Sequence, residues 1–456
     1  MFGRKGFRFS FVVIAVCPRI GRAEARPSPS VALRRCVLLC YTVRMPSAKP
    51  LQIGVIVEIT REFGRGLCRG ISELARETGR FCPHLVEAAA LRDPDGLRAF
   101  DGFIARVMND RIAATLAATG KPIVDIYYEK PRDGFAIVKT RHSRIGTLAA
   151  EHFLERRFKN FAFCGFAGGR FSSYCRAAFT RALARHGAIC MNYDPDPKAR
   201  YAFNAQVLIN EQLRPAPDAG ALARWIRRLP KPIAVFCPND LRAWQVVQIC
   251  KQRGIDVPRE LAVLGLDNDV LVCGLSTPMI SSIDPDTESI GRCAADTLLR
   301  LVADPRLAQG RLVRQVDPIR VVERTSTEVY PVEPPWLSDA LVFISRNIAR
   351  GISASDIYRA VGRSHTQVDK VFRAKLGTSV QGEIARMRLE HAQRLLSATR
   401  LSIAEIAPRC GFSAPQYLIR TFTKAFGMSP TAWRTAQQPS HPPCDTFTAY
   451  LSASRT

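Results

Sequence analysis

No two cysteines in the sequence are spaced C-x-x-C, although the chain has 14 of them. Cys68, Cys164, Cys237, Cys250, Cys273 and Cys293 stand singly inside apolar stretches, where a thiol behaves as a small hydrophobe. The spacing indicates no metal site and predicts free, buried thiols in a reducing compartment, with no cofactor. The GxGxxG and P-loop patterns are missing too, which argues against a nucleotide-dependent enzyme. No apolar run reaches the ~20 residues a membrane-spanning helix needs.

What the chain has in excess is positive charge. Its formal net charge is +26, from 66 basic and 40 acidic residues, and such an excess suits a polyanion, either nucleic acid or an anionic membrane surface. Residues 1–50 hold ten Lys/Arg against the single Glu24, and residues 338–436 hold fifteen against six acids. The C-terminal segment is thus as basic as a duplex-binding module should be. The first fifty residues show no sustained periodicity. Arg4, Lys5 and Arg8 precede an apolar run from Phe9 to Cys17 and then Ala23-Glu24-Ala25, an imitation of an export signal.

At 456 residues the chain exceeds what one hydrophobic core organises, so two or three domains are expected. From residue 51 the pattern becomes regular. Ile53 to Val57 reads as a strand buried on both faces, and residues 64–78 place Leu67, Ile71, Leu74 and Ala75 on one helical stripe. Further strands are expected at Gly102–Val107, Pro122–Ile126, Phe161–Gly165, Ile233–Phe236 and Leu261–Leu266. Helices are expected over 144–157, 173–186, 240–253 and 286–303. Short strands alternating with helices mean βαβ units, here enough for two parallel sheets flanked by helices within 51–325. A last strand near Ile319–Val322 and the Pro331–Pro335 patch lead into a linker, 326–337. Beyond it the chain reads as all helix over 338–436, with a disordered tail at 437–456.

The helical part repeats. Asp356-Ile357, Ala360-Val361-Gly362, Val368 and Val371-Phe372, closing at Leu376-Gly377, align with Glu405-Ile406, Cys410-Gly411-Phe412, Leu418 and Thr421-Phe422, closing at Phe426-Gly427. Gly362 and Gly411 fall where a helix-turn-helix needs positive φ, and Ser364 and Ser413 follow as expected N-caps. Pro415 fits the first turn of its helix. Between the copies, Ile384–Leu396 makes one amphipathic linking helix.

Segment 338–434 resembles the AraC/XylS-type DNA-binding domain, through RLEHAQRLL, LSIAEIA and CGFSAPQYLIRTFTKAFGMSPTAWR. The resemblance implies that both second helices enter successive major-groove segments of double-stranded DNA, about 34 Å apart. Base reading then falls to Thr366, Gln367, Asp369 and Lys370 in the first unit and to Gln416, Ile419 and Arg420 in the second. Arg373, Lys375 and Lys424 are expected on phosphates. Pro408 departs from the family pattern, since inside a helix it removes a backbone hydrogen bond. A regulator that must reach the chromosome is not exported. Residues 1–50 are therefore a basic extension, disordered or an over-called start, with translation expected to begin at Met45.

In open α/β sheets ligands bind beyond the carboxyl ends of the strands. Cys237-Pro238-Asn239-Asp240 and Leu266-Asp267-Asn268-Asp269 end two strands there, and Arg170 and Arg176 follow a third. Acceptor carboxylates beside donor arginines suit a polyol, though the same residues serve equally as turn and helix-cap groups. KPIAVFCPNDLRAWQVVQICKQRGIDVPRELAVLGLDND and LSTPMISSIDPDTESIGRCAADTLLRL resemble the second lobe of LacI/GalR-type sugar-responsive regulators. That resemblance implies a periplasmic-binding-protein-like, two-lobed sugar domain with effector contacts at Arg176, Asn239, Asp267 and Asp240. Where the family has an Asp after the strand ending at Lys139-Thr140, this chain has Arg141-His142. The substitution removes a hydroxyl acceptor and adds a cation that favours a sugar acid or sugar phosphate.

Together the resemblances imply a cytoplasmic homodimer whose lobes close on a sugar and which activates a pentose catabolic operon through RNA polymerase. Xylose is the default effector; the alternatives are another monosaccharide, a sugar acid or a sugar phosphate, or a constitutive DNA binder whose pocket no longer binds sugar. No membrane partner is expected. Methyl-transfer DNA repair enzymes also carry AraC-type domains, but their Pro-Cys-His-Arg motif is absent, so no enzymatic activity is expected.

Overall fold

A computed structural model describes residues 49–87, 91, 94–127, 132–166, 170–193, 218–309, 312–399, 401–437 and 448–449. The basic extension lies outside these residues, apart from Lys49 and Pro50, and so does most of the tail. The first lobe opens with β1 (Leu51–Ile56), α1 (Glu62–Thr78), β2 (Phe81–Leu85), α2 (Pro94–Leu97), β3 (Gly102–Ala105), α3 (Asp110–Ala117), β4 (Ile123–Asp125) and β5 (Phe135–Thr140). The second lobe follows as α4 (His142–Glu155), β6 (Phe161–Cys164), α5 (Arg170–Ala184), β7 (Cys190–Tyr193), α6 (Ala219–Arg228), β8 (Ile233–Phe236), α7 (Asp240–Gln252), β9 (Leu261–Leu266), α8 (Val270–Leu275) and β10 (Ser281–Asp284). The chain then returns to the first lobe through α9 (Thr287–Ala303) and β11 (Leu312–Val316), and crosses once more to β12 (Arg320–Val322).

Each lobe is one sheet. The first runs β13-β11-β5-β4-β3-β1-β2, where β13 is Thr448–Ala449. The second runs β12-β10-β9-β8-β6-β7. All pairings are parallel except those of β13 and β12 at the edges. Helices cover both faces, which is why the strands are apolar throughout. In β6, Phe163 meets Phe179 and Phe236 on one face, while Ala162 and Cys164 meet Leu222 and Val235 on the other. β10 is easy to miss because it reads Ser-Ser-Ile-Asp. Its buried hydroxyls are satisfied instead: Ser281 Oγ donates to Arg324 O, and Ser282 Oγ donates to Asp240 Oδ1 at 2.5 Å. Three chain crossings form the hinge, and there Arg141 N donates to Val316 O at 2.8 Å.

The helical part comprises α10 (Pro335–Asn347), α11 (Ala354–Val361), α12 (His365–Leu376), α13 (Val380–Ala398), α14 (Ile403–Arg409), α15 (Pro415–Phe426) and α16 (Pro430–Gln437). Pro335, inside the stretch expected to be linker, is the first residue of a helix, where its lack of an N–H costs nothing. α13 belongs to two cores at once. Val380, Ile384 and Met387 pack with Ile357, Val368 and Phe372; Leu389, Ala392 and Leu396 pack with Ile406, Leu418 and Phe422.

Gly362 and Gly411 do take positive φ, 62° and 74°. At Gly411 any side chain would also meet Ile348 O, 2.1 Å from the Cβ position. Ser364 caps α12 by accepting from Gln367 N, but Ser413 does not cap α15. There Ala414 holds the N-cap position and Pro415 supplies the preset φ. Pro408 is accommodated in the last turn of the short α14, which ends one residue later and is capped by Cys410, whose N donates to Ile406 O.

Candidate effector cleft and nucleic-acid interface

The carboxyl ends of both sheets face one cleft. From the second lobe come Asn239 and Asp240 after β8, and Asp267 after β9. Asn239 is buried and caps α7, its side chain accepting from Arg242 N at 2.9 Å. Asp240 is buried as well, accepting from Ser282 Oγ and from Asp269 N at 2.7 Å. Gly265 makes room for it, since a Cβ there would stand 2.1 Å from Asp240 Oδ1. Asp267, at φ 104°, is held in a backbone conformation that non-glycine residues rarely adopt. Strained backbone of this kind clusters at ligand sites.

Charges answer from the first lobe, on residues that no motif in the sequence marks. Burial, helped by neighbouring Asp240, pushes the Asp267 carboxyl well above its ordinary range, and the guanidiniums of Arg61 and Arg106 pull the other way. Arg106 follows β3, pairs with Glu58 beyond β1 and lies over the Tyr127 ring at 4.5 Å. Asp125, the last residue of β4, is pinned by Val107 N and Tyr127 N. Glu58, Arg106 and Asp125 obey the same carboxyl-end rule that singled out Asp240 and Asp267. The lobes also touch directly: Glu62 N at the start of α1 donates to Asp269 Oδ2 at 3.0 Å, and Arg65 pairs with the same carboxylate at 3.4 Å.

The hinge residues differ from expectation. Arg141 Nε lies 2.6 Å from Asp317 Oδ1, so the cation expected to select an acidic ligand is matched by a carboxylate on the third crossing. The neighbouring His142 ring lies tilted against Tyr174, 5.3 Å between centroids, and burial, with the charge of Lys139, brings its pKa to about 4. It is neutral at physiological pH. Arg176 lies on α5, close enough to Cys190 for its charge to act on that thiol.

Burial pushes the Asp240 carboxyl up to about 7, against the hydrogen bonds it accepts from Ser282 and Asp269. Between its ordinary 3.8 and about 7 the folded chain therefore holds a proton that the unfolded chain has lost. Stability contributed at this site falls as pH rises through that window and is level above it. Relative to wild type, Asp240→Asn should gain roughly 2–4 kcal/mol between pH 4 and pH 7.5, measured as urea midpoints. A constant difference across the range would refute this.

α4 carries the hinge toward the helical domain. Fourteen residues span roughly 20 Å from His142 to Glu155. At its far end Arg157 donates to both carboxylate oxygens of buried Glu383 on α13, each at 3.1 Å, and Arg386 pairs with Glu383 at 2.7 Å. Arg394, also on α13, reaches Glu155 at 2.8 Å and Glu323 at 3.3 Å. Arg156 holds Glu323 at 2.7 Å and donates to Nδ1 of His152. Because arginine only donates, His152 must be the neutral Nε2–H form, which donates to Thr327 Oγ1 at 2.9 Å.

On the helical domain, Thr366, Gln367, Lys370, Arg373 and Lys375 of α12 are all exposed, as are Gln416, Ile419, Arg420 and Lys424 of α15. Asp369 is the exception. Its carboxylate accepts from Val380 N at 3.2 Å and faces His365 Nε2 at 3.2 Å, so it joins α12 to α13 rather than facing outward to bases. Tyr417, 45% exposed beside Ile419, adds a surface aromatic to the residues expected there, and Arg420 lies over its ring at 5.3 Å. Exposed donors on two second helices of a basic domain are what a duplex reader needs.

A two-lobed α/β sensor joined to tandem helix-turn-helix units defines a DNA-binding transcription regulator. Residues 150–327 match the model for a periplasmic binding protein-like domain, and 357–436 match that for a helix-turn-helix domain. The chain is similar to the xylose operon regulatory protein of Escherichia coli (strain K12), 29% identical over 395 residues that cover 84% of this chain and 96% of the relative. The protein of the same description from Haemophilus influenzae is 24% identical over 396 residues, 84% of this chain and 98% of its own. Among solved structures, a xylose-binding transcription activator is 27% identical and covers 86% of this chain and 100% of its own, with a TM-score of 0.53. These relatives are regulators, not enzymes. No helix among the described residues is long and apolar enough to cross a membrane.

Proposed function

We propose that this chain is a sugar-responsive activator whose effector is a pentose, xylose first, and which regulates a pentose catabolic operon from the cytoplasm as a homodimer in contact with RNA polymerase. The observation that carries the effector reading is Asp267, strained and desolvated opposite Arg61 and Arg106. A carboxyl acceptor facing guanidinium donors across a closing cleft fits vicinal hydroxyls. The ion pair between Arg141 and Asp317 removes the main reason for an acidic ligand. Sugar acts by binding one lobe arrangement better than another, and α4 transmits the difference to α13.

Thermal unfolding of the full chain against pentoses, hexoses, sugar acids and sugar phosphates tests this. Xylose at 100 times its Kd should stabilise by about 2.7 kcal/mol, and Asp267→Asn should abolish the shift. A shift with a sugar phosphate alone would reject the pentose reading.

The DNA-reading roles separate by salt and by sequence. Arg420→Ala should weaken specific binding by about 1–3 kcal/mol and relax preference at one base pair. Lys424→Ala should weaken all duplexes alike and lower the salt slope by about 1. Fluorescence anisotropy with specific and scrambled duplexes, at several salt concentrations, distinguishes the two. Equal losses on both duplexes for Arg420→Ala would place it on phosphate.

A further inference from the structure

β6 and β8 are neighbours in register, with Phe161 beside Ala234, Ala162 beside Val235 and Phe163 beside Phe236. The next pair along the two chains is Cys164 and Cys237. Both are fully buried and lie in the same side-chain cluster as Ala162 and Val235, so their thiols share one face of the sheet. Adjacent strands stand about 4.8 Å apart, within the roughly 4.4–6.8 Å between Cα atoms that a disulfide accepts. A bond between these sulfurs therefore needs no change of strand spacing.

A buried cation completes the site. The Arg242 guanidinium is fully enclosed, held by Asp218 at 3.1 and 2.6 Å and by Gln245 at 3.0 Å, and it lies against the Phe166 and Tyr193 rings at 5.0 and 5.3 Å. Burial alone would raise the Cys164 thiol, yet hydrogen bonding with Cys237 and the charge of Arg242 bring it below its ordinary value. The partner goes the other way, since burial and the neighbouring Cys164 raise Cys237. At other buried thiols burial outweighs the nearby cations: Cys190 is pushed up to about 11, and Cys250 and Cys410 to about 12. A thiol whose proton leaves more readily, beside one that keeps its proton, is the division of labour that thiol oxidation requires.

We propose that Cys164 and Cys237 are an oxidant-sensitive dithiol, which hydrogen peroxide closes to a disulfide at the floor of the effector cleft. The Cys164 thiolate attacks one peroxide oxygen; the S–O bond forms, the O–O bond breaks, and the leaving hydroxide takes the Cys237 proton to become water. The Cys237 sulfur then attacks the sulfenic acid sulfur, forming S–S, breaking S–O and releasing hydroxide, which is protonated to a second water. The sulfurs lose two electrons and peroxide gains two. In a reducing compartment the dithiol is the resting form, and the disulfide is transient. Cys237 stands two residues before Asn239, so closure would fix β6 to β8 directly beneath the effector groups.

The test uses the full-length protein, reduced, treated with hydrogen peroxide, then unfolded and alkylated before peptide mapping by mass spectrometry. The expected result is a peptide pair linked through Cys164 and Cys237, with two thiols lost together. If both remain alkylatable when the partly exposed Cys68 and Cys82 have already been oxidised, the proposal fails. Dimedone assigns the order of attack. Cys237→Ser should accumulate a sulfenate adduct on Cys164, whereas an adduct on Cys237 in Cys164→Ser would overturn the assignment of the attacking thiol. The wild-type map decides the proposal even if either variant folds poorly.

Discussion

Phe422→Ala should abolish operator binding while leaving the sensor folded and able to bind its effector. Phe422 is fully buried in the second helix-turn-helix core, with Phe426 at a ring separation of 4.5 Å and Trp433 at 5.9 Å, beside Leu418 and Ile406. Truncating such a phenylalanine costs about 3–5 kcal/mol in lost transfer energy and cavity. The core it leaves is small, and for a unit of about 100 residues each kcal/mol moves the melting midpoint by about 4–8 °C. The variant should therefore show a helical-domain transition lowered by more than about 10 °C, while the sensor transition keeps its wild-type midpoint. Calorimetry and anisotropy on the full chain check both halves. Retained DNA affinity with an unchanged melt would mean that the surrounding side chains collapse into the space.

Glu383→Ala should sever the sensor from the DNA-binding domain. Burial alone would raise the Glu383 carboxyl, but Arg386 and Arg157 hold it below its ordinary range, and it is fully enclosed. Removing one partner of a buried ion pair leaves the others unmatched, at a cost of about 3–5 kcal/mol. Here the low end applies, because Arg157 and Arg386 keep 29% and 32% of their side-chain surface exposed. Stability and coupling can be told apart. Arg157→Ala leaves Glu383 paired with Arg386 and should cost less stability, yet it removes the same cross-domain link. Both variants should bind operator with an affinity that responds less to effector, measured by anisotropy with and without xylose. Undiminished response in both would shift the coupling to Arg394 and its partners Glu155 and Glu323.

The architecture was legible because its signals are local. Residues such as Ile53, Phe163 and Val235 make short runs apolar on both faces, and only a sheet covered on both sides buries such runs. The helix-turn-helix pair was legible for the same reason, since Gly362, Gly411 and Ser364 state their backbone roles within a few residues. Elements that hide polar groups were not. β10 is a strand of serines whose hydroxyls find partners 42 and 43 positions away, at Asp240 and Arg324. β2 carries a proline at a sheet edge, where a missing donor is tolerated.

The site was half legible. Asn239, Asp240 and Asp267 follow strands whose ends the sequence marks, whereas Arg61, Arg106 and Glu58 join them only because the first lobe folds its own strand ends onto the same cleft. Ser413 and Asp369 show the limit in small. Each is the right residue type for its expected role, but the backbone gives the cap position to Ala414 and turns Asp369 back toward Val380 N.

By itself, then, the sequence determined two parallel sheets, a tandem helix-turn-helix and the basic charge that suits it to DNA, because periodicity, turn chemistry and charge act over a few residues. Tertiary structure decided which charges are spent on one another and which remain for a ligand. Arg141 met Asp317, and Arg157 met Glu383, across 176 and 226 positions of chain. Coulomb attraction and desolvation depend on distance in space, and no spacing along the chain encodes it.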